Sequence, residues 1–184
     1  MKKVLILFFT LLIQQSFSQK KFSIEVLSGF GYNKELTLVN EEVDNDNVTT
    51  FQLNANYNFK VFKKVFVETG VGAQWFFSSG GVRVSQFKTT SLRLKIPVLI
   101  GYNLFKKTNV YTGVALFNNR DLNTFDSKKN FNFRTSLLVK GSYSIKNNLD
   151  IIFLLQKNLS RIPDLYFLNQ PYIDISAGIS YKLF

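Results

Sequence analysis

The chain has 184 residues and a formal net charge of +11, with 23 Lys and Arg against 12 Asp and Glu, and it contains neither Cys nor His. The missing Cys and His exclude disulfides, thiolate or imidazole metal sites, and the Ser-His and Cys-His pairs of nucleophilic enzymes. A basic chain can bind nucleic acid. Here the cations are scattered through turns and alternating segments, and the chain begins with an export signal, so we expect no nucleic-acid partner.

The first 18 residues have the pattern of a secretory signal peptide. Lys2 and Lys3 precede an apolar run at residues 4–13, and Ser16 and Ser18 occupy the small-residue positions before a cleavage site. The apolar run is too short for a membrane-spanning helix, which needs ~20 residues. We therefore predict a signal peptide at residues 1–18 and a single mature domain at residues 19–184.

Eight later segments alternate apolar and polar side chains, which is the period of a β-strand. Most are ten or more residues long, whereas strands of soluble proteins average ~5–6 residues and membrane-spanning strands need ~9–11. In the fifth segment both faces contain apolar residues, so its parity is ambiguous. The segments are residues 22–32, 49–59, 65–77, 92–104, 109–117, 131–145, 149–159 and 172–184.

The connections between these segments alternate between long and short. Such alternation is typical of outer-membrane barrels, with short periplasmic turns and longer outer loops. Aromatic residues collect at both strand ends, as expected for two interfacial girdles. We predict an all-β, eight-stranded antiparallel up-and-down transmembrane β-barrel in the outer membrane, with periplasmic termini and lipid around it. The long connections are residues 33–48, 78–88, 118–130 and 160–171, and the short turns are residues 60–64, 105–108 and 146–148.

The polar face of the strands carries charges of both signs. In an eight-stranded barrel this face lines an interior just wide enough to be filled by side chains. Buried charges must pair or accept hydrogen bonds, so we predict an interior charge network among Asn, Gln and Ser. A charged conduction path is the alternative. The predicted network consists of the acids Glu25, Glu68, Asp150 and Asp174 and the cations Arg93, Lys95, Arg134, Lys140 and Lys182.

Pro97 lies on the inward face of the fourth segment, LRLKIPVLIGYNL, residues 92–104. Proline cannot donate a ladder hydrogen bond, and a closed barrel has no edge strand to hold it. We therefore predict a bulge or a local break in pairing at Pro97.

No other motif indicates chemistry. Glu25 and Glu68 could formally form a two-carboxylate glycosidase site, but pairing inside the barrel explains them better. The acidic segment at residues 40–47 lacks the spacing of a calcium loop. We expect no enzyme activity, no cofactor and no metal. Lysines in the short turns indicate either solubility or contact with anionic headgroups or an acidic partner.

The fourth segment resembles the Leu-x-Ile-Pro stretch of the PorT-like outer-membrane β-barrel family of Bacteroidota. Leu94, Ile96, Pro97 and Tyr102 match that pattern, whereas Lys95 stands where the family usually has Glu. The aromatic C-terminal segment and the Gly-rich first strand fit as well. The resemblance implies an outer-membrane barrel of the cell envelope, accessory to protein secretion in the best-known member.

Three functions follow from these observations. The first is a structural or interaction barrel that contacts an envelope protein through its loops or periplasmic turns. The second is a passive channel for small solutes. The third is a soluble exported β-barrel that binds a lipid-like ligand, because alternation alone does not say which face points outward.

Overall fold

The computed structural model describes residues 21–32, 48–82, 85–121, 133–159 and 173–183. The predicted signal peptide and most of the predicted loops at residues 33–48, 118–130 and 160–171 lie outside these ranges. The loop prediction was wrong for Val48 and for residues 118–121, which continue strands through cross-strand pairing. Eight strands account for nearly all of the described chain. They are β1 (Lys21–Tyr32), β2 (Val48–Lys60), β3 (Val65–Val82), β4 (Ser85–Phe105), β5 (Thr108–Asp121), β6 (Arg134–Lys146), β7 (Leu149–Asn158) and β8 (Ile173–Lys182).

The strands form one closed antiparallel sheet in the order β1 to β8, and β8 pairs back onto β1. This confirms the predicted all-β, eight-stranded up-and-down barrel. Strands that follow one another in the chain are neighbours in the sheet, so the strand order contains no crossover. Closure gives each of the eight strands a neighbour on both sides, so the barrel has no edge strand.

The hairpin of β3 and β4 departs from the prediction. Residues 78–88 were predicted as a loop, but β3 continues to Val82 and β4 begins at Ser85. Beyond Phe77, β3 pairs only with β4, and β4 pairs with β5 only from Ser91 onwards. A two-stranded ribbon therefore extends past the rest of the barrel. Cross-strand pairing overrides the weak strand preference of its Ser and Gly residues.

The ladder between β3 and β4 is locally broken at Pro97. Pairs are formed at Thr69–Val98 and at Gly72–Lys95, but not at the two positions between them. The register is the same on both sides of the gap, so the strand contains no bulge there. Instead, the Thr69 hydroxyl donates a 2.8 Å hydrogen bond to the Pro97 carbonyl and replaces part of the lost pairing.

Register shifts occur elsewhere, next to the short turns. One lies between Asn103 and Phe105, and the other between Ser144 and Lys146. An extra residue on one strand of a hairpin increases local twist. These two irregularities therefore lie where the strands turn back, at one rim of the barrel.

Candidate functional site in the barrel interior

Alternation along each strand sorts side chains into an outer wall and an interior. The outer wall is apolar in the middle of the strands. On β4, for example, Leu94, Ile96, Val98 and Ile100 are each 47–60% exposed. Their neighbours Arg93 and Lys95 are 0% and 4% exposed. This distribution is the reverse of that in a water-soluble protein, in which charged side chains are seldom buried.

All nine charged residues predicted for the interior point inward. Seven are buried, and Arg134 and Lys182 are half-buried. Hydrogen bonds, ion pairs and ring contacts place eight of the nine, all except Arg134, in four groups.

Lys182 and Asp150 form the group nearest the chain termini. The Lys182 ammonium lies 2.7 Å from the Asp150 carboxylate and 3.4 Å from the Ser144 hydroxyl oxygen. Asp150 is buried, whereas the Lys182 side chain is 22% exposed. This pair lies at the short-turn end of the interior.

Lys140 is the centre of the second group. Its ammonium donates to Glu25 at 2.9 Å and also to Glu68, and it lies 4.3 Å from the centroid of the Tyr111 ring. Glu25 accepts a further hydrogen bond from Asn54 at 3.3 Å. One cation from β6 therefore holds two carboxylates, from β1 and β3, across the width of the barrel.

Asp174 is the centre of the third group. Its carboxylate accepts hydrogen bonds from Gln52 at 3.1 Å, from Gln74 at 3.2 Å and from Ser176 at 2.5 Å. Lys95 donates to the carbonyl oxygen of the Gln52 amide. The Gln52 amide thus links the Lys95 ammonium to the Asp174 carboxylate through hydrogen bonds.

Arg93 forms the fourth group, towards the long-loop end. Its guanidinium lies between two rings, 4.6 Å from the centroid of Phe76 and 4.1 Å from that of Phe117. It also donates a 3.3 Å hydrogen bond to the Asn158 amide oxygen. A guanidinium stacks on aromatic faces because it is planar and weakly hydrated. Two phenyl rings therefore hold the most buried cation of the interior.

Sequence reasoning missed a second kind of interior surface. The charges were expected among Asn, Gln and Ser only, but one side of the interior is apolar. Its alternating positions on β6 and β7 were visible in the sequence, and the ambiguous parity of β5 is resolved with Tyr111 and Phe117 inward. We call this set the apolar side. It comprises Leu27, Leu99, Tyr111, Ala115, Leu138, Ile152 and Leu154, with Phe66 packed against it.

Inward glycines make room for large interior side chains. A Cβ on Gly72 would lie 3.0 Å from Cε of Lys95 and 2.3 Å from the amide oxygen of Asn54. A Cβ on Gly101 would lie 2.1 Å from the ring of Phe66. These glycines are needed because a ring or a long stem passes directly over the backbone.

The side chains of the interior connect strands that are not neighbours in the sheet. Within the described ranges, no three of His, Cys, Asp and Glu are grouped as metal ligands would be. The same residues include no helix long and apolar enough to cross a membrane. The side chains of Lys140 and Arg93 extend into the lumen and link strands that are not neighbours in the sheet.

The chain is similar in architecture to several solved barrels. A de novo designed transmembrane β-barrel is 12% identical, with a TM-score of 0.47 over 89% of this chain and 95% of that one. The outer membrane protein Ail of Yersinia pestis is 9% identical, with a TM-score of 0.45 over 90% and 100%. Neisserial surface protein A is 14% identical, with a TM-score of 0.48 over 88% and 97%. No protein-family model matches the chain, and no curated protein matches it.

Proposed function

We propose that the protein is a small outer-membrane β-barrel that acts as a structural or interaction component of the cell envelope. The observation that carries the proposal is the inverted surface, with an apolar wall outside and paired charges inside. Lipid provides no hydrogen-bond partners, so a closed sheet is the only β-structure that can cross it. The strands have at least 10 residues each, and ~9–11 are enough to cross a bilayer.

The orientation belongs to the same proposal. The three short turns and both described ends lie at one rim, which we place in the periplasm, and the long connections lie outside the cell. This is the usual layout of such barrels. It also agrees with the signal peptide predicted at residues 1–18, which would deliver the chain to the periplasm.

Fractionation and gel migration test the location directly. We expect the protein in the outer-membrane fraction, with an unheated band that migrates differently from the heated one. Val98→Arg places a charge on the apolar wall, which costs ~2–4 kcal/mol at the bilayer midplane, so folding into vesicles should fall sharply. Lys63→Arg keeps the charge of an exposed turn residue and serves as the matched control. A soluble protein without a heat-dependent shift would refute the location.

The filled interior supports an anchoring or interaction role over a passive channel. Lys140 and Arg93 each contact a strand three positions away around the barrel, so side chains cross the lumen at two places. We therefore expect no steady conductance in planar bilayers. A stable conductance that changes with Arg93→Ala or Lys95→Ala would favour the channel instead.

A soluble carrier of lipid-like ligands is the less favoured reading of the same alternation. Such a carrier needs an apolar interior and a polar exterior, and the buried charges and the exposed wall of β4 are arranged the other way round. Pairing and hydrogen bonding within the barrel explain the interior charges, so we propose a non-enzymatic role.

The resemblance of Leu94, Ile96, Pro97 and Tyr102 to the PorT-like pattern supports a finer proposal, an accessory role in protein secretion. Affinity purification from detergent-solubilised outer membranes should then recover an envelope protein partner. Deletion of the gene should reduce the set of secreted proteins. An unchanged secreted set would remove this finer role and leave the membrane barrel standing.

A further inference from the structure

The short-turn rim of the barrel is strongly basic. Its exposed lysines are not balanced by any acid in residues 60–65, 104–108 or 145–149. The next acid along the chain, Asp150, is 3% exposed and pairs with Lys182 inside the barrel. We call this surface the basic rim. Its exposed cations are Lys60, Lys63, Lys64, Lys106, Lys107 and Lys146.

Two of the three turns of the basic rim repeat the triplet Phe-Lys-Lys. Phe62 precedes Lys63 and Lys64, and Phe105 precedes Lys106 and Lys107. The two phenyl side chains are 70% and 71% exposed, so they do not pack against the barrel. A bare phenyl group beside an ammonium pair suits a boundary where an apolar layer meets a charged one. There the ring enters the apolar layer and the lysine head remains in water.

Backbone hydrogen bonds hold these turns side by side. The amide of Asn103 donates to the Lys64 carbonyl at 2.9 Å, and the amide of Ser144 donates to the Lys107 carbonyl at 2.8 Å. Val65 and Tyr102 are paired directly above the first contact. The two Phe-Lys-Lys turns are therefore neighbours, and their geometry is fixed by the sheet.

The basic rim also continues the apolar outer wall. Tyr102, Tyr143 and Tyr181 are 44%, 50% and 51% exposed at the ends of the strands that lead into it. Tyrosines at this level mark the membrane–water interface in barrels. The lysines thus lie at the depth of the phospholipid headgroups rather than in open solution.

We propose that the basic rim binds anionic phospholipid headgroups of the leaflet that faces the short turns. This inference rests on the proposed membrane location. Each lysine near an anionic surface contributes attraction that falls off within a Debye length, and the two phenyl rings add apolar contact with the acyl boundary. An acidic periplasmic protein would use the charge, but it would not explain exposed rings that are continuous with the lipid-facing wall.

The test compares two spin-labelled lipids at trace level in phosphatidylcholine bilayers that contain the folded full chain. One is a phosphatidylglycerol and the other a phosphatidylcholine, and the motionally restricted fraction measures their association with the barrel. We expect the anionic label to associate at least roughly fivefold more strongly at low salt, and the preference to shrink near 1 M salt because the Debye length falls to ~3 Å.

Variants locate the effect. Replacement of all six rim lysines by Gln should abolish the preference, and replacement of all six by Arg should keep it. Phe62→Ser with Phe105→Ser should lower it at unchanged charge. Lys157→Gln, an exposed lysine at the opposite end of β7, should leave it intact. Folding of each variant is checked by heat-dependent gel migration.

The possible outcomes distinguish failure of the membrane location from failure of the lipid assignment. A wild-type chain that fails to insert would refute the membrane location itself. An inserted barrel that associates equally with both labels, or a glutamine variant that folds and keeps the preference, would overturn the lipid assignment. Equal lipid association together with tight binding of poly-glutamate would reassign the basic rim to an acidic protein.

Discussion

Two sides of the barrel interior are filled by different kinds of side chain, one polar and the other apolar. The inward residues of β2 and β3, which we call the polar side, include Gln52, Asn54, Asn56, Glu68 and Gln74, all at most 5% exposed. The apolar side, centred on β5 to β7, fills the same lumen with Leu, Ile and Tyr. The polar side depends on partners from across the barrel, whereas the apolar side depends on shape. Loss of one charged partner should therefore cost more than loss of one apolar group.

The largest effect should come from Lys140→Met. This change leaves the buried carboxylates of Glu25 and Glu68 without their shared cation, and an uncompensated buried charge typically costs ~3–5 kcal/mol. Urea unfolding in lipid vesicles, followed by gel migration, measures the free energy of unfolding. The triple variant with Glu25→Gln and Glu68→Gln should recover much of the loss. A loss below ~1 kcal/mol for the single variant would show that water, and not Lys140, satisfies the acids.

Leu138→Ala should have the next largest effect, on the apolar side. Leu138 is 2% exposed, and truncation of a buried Leu costs ~2–5 kcal/mol because a cavity remains. Leu138→Met, which keeps the volume, serves as the control and should cost below ~1.5 kcal/mol. If Leu138→Ala proved harmless, the apolar side would be loosely packed, and the contrast between the two sides would disappear.

Two glycines on the polar side should differ from each other. A Cβ on Gly70 would lie 2.1 Å from the Ala55 carbonyl oxygen, whereas the obstacles at Gly72 are side chains of Asn54 and Lys95. Overpacking costs ~1–3 kcal/mol, and side chains can move aside where backbone cannot. We expect Gly70→Ala to lie at the upper end of this range and Gly72→Ala at the lower end. The same unfolding measurement checks the order, which equal losses would contradict.

The smallest effect should come from Asn56→Ala. The side-chain carbonyl of Asn56 accepts no hydrogen bond from the described residues, so its removal gives up little of the ~1 kcal/mol that a hydrogen bond contributes. A matched Gln52→Ala should cost more, because Gln52 bonds to Asp174, Ser176 and Lys95. Equal losses from the two variants would mean that the polar side acts through volume rather than through hydrogen bonds.

The fold was predictable because the outward-facing apolar residues recur with a period of two along most of the strands. Arg93 and Lys95 within an apolar run already showed which face of β4 points inward. Which charges meet was not predictable, because Lys140 reaches Glu25 and Glu68 only through closure and strand stagger. Leu138 and Ile152 were not assigned to the interior because they lie in apolar runs, in which both faces of the strand carry apolar side chains.

The alternation pattern also did not predict how far the β3–β4 hairpin extends. Residues 78–82 are Ser, Gly and Val, which read as a loop, yet they pair with residues 85–89. Strand propensity is a weak guide at these residues, because β3 and β4 simply continue the pairing that they already form within the barrel. The residues of the basic rim were visible from the start, but their adjacency depends on the hydrogen bonds of Asn103 and Ser144.

The shared lysine of the interior has a consequence for assembly. Its two acids belong to β1 and β3, in the first half of the chain, while the cation comes from β6 in the second half. In the membrane location proposed above, a partly inserted sheet of β1 to β4 would carry two uncompensated carboxylates into hydrocarbon. That proposal therefore predicts that entry into the bilayer and closure of the sheet are coupled steps, and that the chain inserts as a whole or remains outside.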